Sequence, residues 1–276
     1  MLVPLRDVVA LLVCFVFMGP LGCSEGENSG AAATHGIASL SPAMTTIVQD
    51  LGAGDRLVGR TPWCRGVDTL PVVGALDGVD AEVLVGLRPE FVIHQPPAAG
   101  PDPVLPALRD RLGFTLIGGR LDGSADVVAA IDGLTAAGIG DPTLTVRFRD
   151  AMESVRRAAA AVDETSPTVL VLFGVDPFAA AGRDTYLDEV VRAAGGRNVT
   201  PRSGWIELSV EEVVGLRPEV VLLVSTDAAA SAALDAIPWS ARPAVVVLES
   251  PDALEPSTRM PAVVDEVRRL LADAAP

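Results

Sequence analysis

The sequence contains no lysine, and all 21 of its basic side chains belong to arginine. P-loop nucleotide enzymes, protein kinases and pyridoxal phosphate enzymes are therefore excluded, because each class depends on a lysine nitrogen. Histidine is also scarce, and His35 and His94 are the only two. Two histidines are too few for a zinc or manganese site built from several histidine and carboxylate ligands.

Basic charge is outnumbered by acidic charge, which gives the chain of 276 residues a formal net charge of −15. This balance argues against a nucleic-acid partner, because affinity for phosphate backbones comes mainly from basic groups. A hydrolase is disfavoured because the sequence contains no GxSxG motif. The glycines at 52 and 54 lack the GxGxxG spacing of a dinucleotide site. We therefore expect neither an enzyme nor a bound cofactor.

Residues 1–23 have the layout of a secretory signal. A basic residue precedes an apolar run from Val8 to Met18, which is too short for the ~20 residues of a spanning helix. Gly22 stands directly before Cys23, as in a bacterial lipobox, and an ordinary cleaved signal or an uncleaved anchor are the alternatives. Residues 24–35 are small and polar, which predicts a flexible tether. We expect an exported protein, periplasmic or on the cell surface, held to a membrane by a lipid on Cys23.

The pentapeptide Gly-Leu-Arg-Pro-Glu occurs twice, at residues 86–90 and 215–219. An apolar run follows each copy, and a helix-capping residue, Asp80 or Ser209, precedes it. Each copy predicts a short capped helix, a turn at the proline and a buried strand. Since other helix and strand patterns alternate around both copies, the chain is interpreted as two related α/β lobes with mostly parallel sheets.

A long helix is predicted between the two lobes. Asp141 and Pro142 are helix-start residues, and neither glycine nor proline recurs before Pro167. The linking helix is assigned to residues 141–165, between an N-terminal lobe at 36–140 and a C-terminal lobe at 166–276. Roughly 22 helical residues would measure about 33 Å, and such a rod would resist large hinge motion.

Four segments resemble a known family, the Fe/B12 periplasmic-binding domain of ABC importers for vitamin B12 and ferric siderophores. They are IASLSPAMTTIVQDLGAGDRLVGRTPWC, LPVVGALDGVDAEVLVGLRPEFVI, VLFGVDPFAAAGRDTYLDEVVRAAGGRNV and SGWIELSVEEVVGLRPEVVLL. With the linking helix they cover about residues 36 to 272. The resemblance implies the fold of a class III periplasmic binding protein, which has two Rossmann-like lobes bridged by a single long α-helix. A ligand is then expected in the cleft between the lobes.

The resemblance also implies the partners of such a protein. They are an ABC permease dimer with its ATPase subunits and a small-molecule metal chelate, with cobalamin or another corrinoid favoured. A ferric siderophore or haem remains an alternative ligand. An exported α/β sensor or scaffold without a transport role is the alternative from another class.

Individual site residues follow from the same resemblance. Trp63 and Trp205 lie where similar proteins carry an aromatic residue, and rigid aromatic rings suit a flat macrocycle. Each of these tryptophans is otherwise a core residue or a loop plug. Glu82 and Glu211 lie at the same point of the two repeats and are expected to dock on paired arginine sockets of the permease. The acidic side chains otherwise serve only the helix starts.

The remaining candidates lie in predicted loops or near strand ends. Cys64 and Phe178 are candidate ligand contacts, and a buried structural role is the alternative for Cys64. His94 follows an apolar strand and is the candidate metal ligand, unless it only closes that strand through a hydrogen bond. Five arginines are candidates to bind carboxylate, phosphate or catecholate oxygens, or else are ordinary surface charges. They are Arg60, Arg65, Arg183, Arg202 and Arg259.

Overall fold

The structure is a computed structural model. It describes residues 36–75, 78–96, 100, 102–225 and 230–274. The expected signal, the tether, His35 and the lipidation site Cys23 lie outside the described residues. None of the described helices combines the length and the apolar character that a bilayer crossing requires.

The first half of the chain forms a parallel sheet flanked by helices. In chain order its elements are β1 (Ile37–Ser39), α1 (Pro42–Asp50), β2 (Leu57–Gly59), β3 (Gly74–Ala75), β4 (Gly78–Val79), α2 (Ala81–Leu87), β5 (Phe91–His94), α3 (Val104–Leu112), β6 (Thr115–Gly118) and α4 (Ser124–Ala136). The strand order is β2-β1-β5-β6, and every pairing in this sheet is parallel. Strands β3 and β4 form a separate antiparallel pair. We call this half the N-terminal lobe.

The second half follows a long helix and forms a mixed sheet. Its elements, preceded by that helix, are α5 (Pro142–Ala160), β7 (Thr168–Val175), β8 (Phe178–Ala181), α6 (Tyr186–Ala193), β9 (Arg197–Asn198), β10 (Trp205–Leu208), α7 (Val210–Leu216), β11 (Val220–Val224), α8 (Ala230–Asp235), β12 (Ala244–Leu248) and α9 (Met260–Ala274). The main strand order is β10-β8-β7-β11-β12, with β9 beside β7. Strands β8 and β10 are antiparallel additions to a parallel centre. We call the part after α5 the C-terminal lobe.

The repeated pentapeptide forms the same local structure in both lobes. Helices α2 and α7 are each seven residues long and are capped by the side chains of Asp80 and Ser209. Each ends at an arginine, Arg88 or Arg217, in the left-handed conformation with φ of 45° and 48°. The proline that follows cannot continue a helix, and a strand, β5 or β11, begins two residues later. The repeat therefore marks equivalent positions of the two lobes.

The linking helix α5 begins where the sequence predicts but ends at Ala160 instead of residue 165. The Asp141 side chain accepts hydrogen bonds from two backbone N–H groups of the first turn. The early end has a local cause, since Asp163 accepts hydrogen bonds from both the backbone and the hydroxyl of Thr165. This turn competes with helical continuation. Nineteen residues give a helix of about 28 Å.

One hydrophobic core runs through both lobes and includes α5. The buried residues Met152, Val155 and Ala159 lie three to four positions apart, so they share one face of α5. The same core contains Ile131 of the N-terminal lobe and Val190 of the C-terminal lobe. Helix α5 packs on α4 of the N-terminal lobe and on α6 and α9 of the C-terminal lobe. Bending α5 would disturb packing in both lobes.

Candidate functional site

A cavity of about 340 Å³ lies between the two lobes, at the carboxyl ends of their parallel strands. Gln95 follows β5 directly, Asp122 follows β6 within four residues, and Phe173 belongs to β7. Open parallel sheets bind ligands at this edge, because loops and helix starts converge there. The full lining consists of Pro42, Ala43, Gln95, Leu121, Asp122, Phe173, Tyr186, Leu187, Trp205, Leu254, Glu255 and Pro256.

Three aromatic rings of the C-terminal lobe form one wall of the cavity. Trp205 meets Phe173 edge to face at 5.1 Å between ring centroids, and it meets the tilted ring of Tyr186 at 5.4 Å. The Trp205 side chain is 47 % exposed, so part of its ring is available to a ligand. Tyr186 is buried and its hydroxyl donates to the carbonyl of Ala253 at 2.9 Å. Burial, helped by the negative charge of Glu255, raises the pKa of Tyr186, which keeps the phenol neutral.

Five charged side chains connect the lobes beside the cavity, and we call them the interlobe clamp. Arg65 of the N-terminal lobe contacts Asp252 at 2.6 Å and Glu255 at 3.2 Å. Arg259 of the C-terminal lobe contacts Asp50 of the opposite lobe at 3.3 Å and Asp252 at 3.2 Å. Two arginines thus meet three carboxylates, and the clamp carries one net negative charge.

Two threonine hydroxyls extend the clamp. Thr258 donates to Asp50 at 2.6 Å, and Thr46 donates to Glu255 at 3.1 Å. Both hydrogen bonds cross between the lobes. The hydrogen bond with Asp50 raises the pKa of Arg259, which agrees with a favourable charged pair. Each arginine–carboxylate pair of the clamp is also a hydrogen bond. Because hydrogen bonds are directional, the clamp fixes the orientation of the lobes as well as their separation.

A second polar link joins the lobes at the start of α4. The residue before this helix, Gly123, has no side chain that could cap it. Glu189 of α6 takes this role from the opposite lobe, and it accepts hydrogen bonds from the Ser124 backbone at 2.7 Å and the Ser124 hydroxyl at 2.6 Å. A carboxylate is favourable at the positive end of a helix. The capping of α4 therefore depends on the contact between the lobes.

The two tryptophans singled out in the sequence occupy different places. Trp205 lines the cavity. Trp63 is 48 % exposed in the loop after β2 and is not a lining residue, although Arg65 of the same loop reaches the lining residue Glu255. Cys64, which lies between Trp63 and Arg65 in the sequence, is buried, and its sulfur accepts a hydrogen bond from the Thr45 hydroxyl. A ligand contact by Trp63 or Cys64 stays a prediction.

The other candidate ligand contacts have structural partners. Phe178 packs against the core of the C-terminal lobe. Arg60 donates to three backbone carbonyls of its own loop, and Arg183 donates to the carbonyl of Pro201. Arg202 pairs with Glu212 at 3.1 Å. With Arg65 and Arg259 in the clamp, each of the five arginines already has a bonding partner within the protein.

His94 is the last residue of β5, directly before the lining residue Gln95. Burial lowers its pKa, so the imidazole is neutral at physiological pH. Among the described residues, no group of three or more His, Cys, Asp or Glu side chains is arranged to hold a metal ion. A contact between His94 and the metal of a chelate stays a prediction.

Glu82 and Glu211 take the same position in the two lobes. Each is the second residue of its helix, α2 or α7, and each is exposed. The neighbouring Glu212 completes a capping box with Ser209, so Glu211 is not required for capping. Its availability for a partner is compatible with docking, which stays a prediction.

Of the twelve lining residues, the sequence singled out Trp205 alone, and those it missed include two aromatic and two acidic residues: Phe173, Tyr186, Asp122 and Glu255. Tyr186 could have been found as the single tyrosine of the chain, placed at a helix start. The two carboxylates carry no sequence signal, because nothing near them distinguishes them from surface charges.

Comparison with known proteins agrees with this architecture. No protein-family model matches the chain. An ABC transporter substrate-binding lipoprotein of Bacillus subtilis is 24 % identical over 209 residues, which are 72 % of this chain and 66 % of the relative. A cobalamin-binding protein of Halobacterium salinarum is 28 % identical over 205 residues, 69 % of this chain and 54 % of the relative. The chain thus matches less than two thirds of the length of these relatives.

The solved structures include a periplasmic heme-binding protein of Roseiflexus with the same fold. It superposes with a TM-score of 0.70 at 25 % identity and covers 87 % of this chain and 99 % of its own. The overall fold is therefore shared with this protein. The chain therefore has the fold of the class III periplasmic binding proteins, and its sequence is similar to those of an ABC-transporter substrate-binding lipoprotein and a cobalamin-binding protein.

Proposed function

We propose that this protein is the extracytoplasmic substrate-binding component of an ABC importer and captures a metal chelate between its lobes. The observation that carries the proposal is the interlobe cavity with its wall of Phe173, Trp205 and Tyr186. Aromatic rings offer a wide apolar contact to a planar macrocycle and lose little rotamer entropy on binding. A cavity of about 340 Å³ is small for such a site, so a macrocycle inserts one edge and lies partly outside.

A corrinoid is the favoured ligand. Haem is the second candidate, supported by the likeness to the Roseiflexus protein. Protein-bound haem iron takes an axial ligand from histidine, cysteine, methionine or tyrosine. Tyr186 is the one residue of these types in the described lining, and its hydroxyl is engaged with Ala253. Cobalamin carries its own axial base and makes no such demand on the protein.

Tryptophan fluorescence provides the test of binding. Purified protein is titrated with cyanocobalamin, dicyanocobinamide, haemin and a set of ferric siderophores. We expect one-to-one quenching by a corrinoid and at least tenfold weaker binding after Trp205→Ala, since anchor residues contribute ~2 kcal/mol or more. Trp239→Phe is the matched control, because the Trp239 indole donates to Leu234 within the C-terminal lobe. If haem alone binds, haem is the ligand in place of a corrinoid. If no chelate binds, the result favours the alternative of an exported sensor without a transport role.

The proposed partner is a permease dimer with its ATPase subunits. Glu82 and Glu211 supply one exposed carboxylate on each lobe, related by the internal repeat. Charge pairs of this kind set orientation and encounter rate more than affinity, and salt weakens them. We expect Glu82→Ala and Glu211→Ala, and more so the double variant, to reduce ligand-stimulated transport at unchanged ligand affinity.

Glu164→Ala is the control for docking, because its side chain is 93 % exposed after the end of α5. Normal transport by the Glu82/Glu211 double variant would contradict the docking role. The protein is further proposed to be exported and anchored by a lipid on Cys23. Metabolic labelling with a radioactive fatty acid tests this, since Cys23→Ser should abolish the label.

A further inference from the structure

The charged groups in the cavity lining are carboxylates. Among the described residues, the lining contains Asp122 and Glu255 and no basic side chain. Arg120 holds both oxygens of Asp122 in a two-pronged pair at 2.6 and 3.0 Å, which satisfies that carboxylate. Glu255 is satisfied on one side alone.

The two donors that the described residues give to Glu255 end on the same oxygen. Thr46 donates to Oε2 at 3.1 Å, and Arg65 donates to Oε2 at 3.2 Å. Oε1 accepts no hydrogen bond from the described part of the chain. The Glu255 side chain is 14 % exposed and belongs to the lining, so this carboxylate borders the cavity.

The described basic groups beside the cavity are engaged with carboxylates of the protein, although Arg65 makes both of its contacts through one nitrogen and its buried Nε has no hydrogen-bond partner. The clamp arginines Arg65 and Arg259 are each bound to two carboxylates. Helix starts can bind anions through their N–H groups, but the three that begin at the cleft already have an acceptor. These acceptors are Ser41 for α1, Thr185 for α6 and Glu189 for α4.

We infer that Glu255 is the specificity-determining residue of the site and that its free oxygen selects chelates whose periphery donates hydrogen bonds. This rests on the proposed function, and it names the ligand class within it. A corrinoid with carboxamide side chains presents N–H groups to Oε1, whereas a ligand with peripheral carboxylates brings a second negative charge to the same place. A hydrogen bond to a charged group contributes more than one between neutral groups, and like charges in a partly buried site repel.

Two corrinoids that share a ring but differ in periphery test this selection. Dicyanocobinamide carries carboxamides, and dicyanocobyrinic acid carries carboxylates at the same positions. We expect the wild-type protein to bind the amide compound at least tenfold more tightly in calorimetry at pH 7.5. This comparison needs no variant, so it does not depend on the folding of a substituted protein.

Glu255→Gln then assigns the preference to one residue. The change is isosteric, Arg65 keeps Asp252 at 2.6 Å, and the amide of the new side chain can donate to a carboxylate. The preference should fall about tenfold, chiefly through tighter binding of the carboxylate compound. Glu164→Gln removes one exposed charge elsewhere and should leave the preference unchanged.

A wild-type preference below twofold, or an unchanged preference in Glu255→Gln, would overturn the inference. Binding of haemin without binding of dicyanocobinamide would overturn it too, while the importer proposal would stand. Failure of every metal chelate to bind would overturn both.

Discussion

Replacing Arg259 by methionine should cost the protein more stability than removal of a surface ion pair. The substitution keeps the apolar stem of the side chain and removes the group that contacts Asp50 at 3.3 Å and Asp252 at 3.2 Å. The Arg259 side chain is 36 % exposed and Asp50 is 20 % exposed, so the pair lies between the surface and the interior.

The magnitude follows from these two limits. Exposed pairs contribute about 0.2–1 kcal/mol, and loss of one partner of a buried pair costs about 3–5 kcal/mol. The carboxylates keep other donors, since Thr258 still binds Asp50 and Arg65 still binds Asp252. We therefore expect Arg259→Met to lower the free energy of unfolding by about 2 kcal/mol and Tm by about 4–8 °C.

Urea unfolding measured by circular dichroism gives this value, with Arg156→Met as the matched control. Arg156 pairs with Glu153 within one turn of α5, and both side chains are well exposed. Its loss should cost about 0.3–0.5 kcal/mol. A double-mutant cycle with Asp50→Asn isolates the pair, and its coupling energy should be about 1 kcal/mol. Equal costs for Arg259→Met and Arg156→Met, or a coupling near zero, would refute the account of the clamp.

Two further predictions concern pH and motion. Burial lowers the pKa of His94 below its ordinary value, so the unfolded chain binds a proton at higher pH than the folded one. The free energy of unfolding should fall as the pH decreases through about 6.5, by at most about 1.4 kcal/mol per pH unit. Urea unfolding from pH 7 to 5.5 measures this slope, and His94→Asn should reduce it. An unchanged slope in the variant would contradict the role of His94. Ligand binding should leave the radius of gyration from X-ray scattering nearly unchanged, because α5 and the clamp hold both lobes. A contraction of several ångströms would show that the clamp opens.

Local chemistry explains why much of the fold could be predicted. Asp80, Asp141 and Ser209 each cap the helix that the sequence assigns to them. The apolar runs after the two pentapeptide copies form the predicted strands, β5 and β11. These signals lie within a few residues of the element they specify. Strands β8 and β10 were missed because their antiparallel pairing depends on contacts between separate segments, and the run of alanines in β8 has no alternating pattern.

The site could be predicted only in part, for a related reason. Trp205 was found because the family resemblance marks its position as one that carries an aromatic residue. The partners of the arginines could not be found in this way, because Arg65 and Asp252 are 187 positions apart in the sequence. Two of the arginines predicted to bind an anionic ligand, Arg65 and Arg259, are instead engaged between the lobes. Only the folded structure shows that two carboxylates, Asp122 and Glu255, belong to the described lining of the cavity.

A crystal structure of the protein grown with cyanocobalamin tests the central claim most directly. The account predicts one corrinoid with its edge in the cavity between the lobes. Its ring should contact Trp205, and one of its carboxamide nitrogens should lie within hydrogen-bond distance of Glu255 Oε1. The account would be contradicted by a corrinoid bound elsewhere on the protein, or by one that places no carboxamide within hydrogen-bond distance of Glu255.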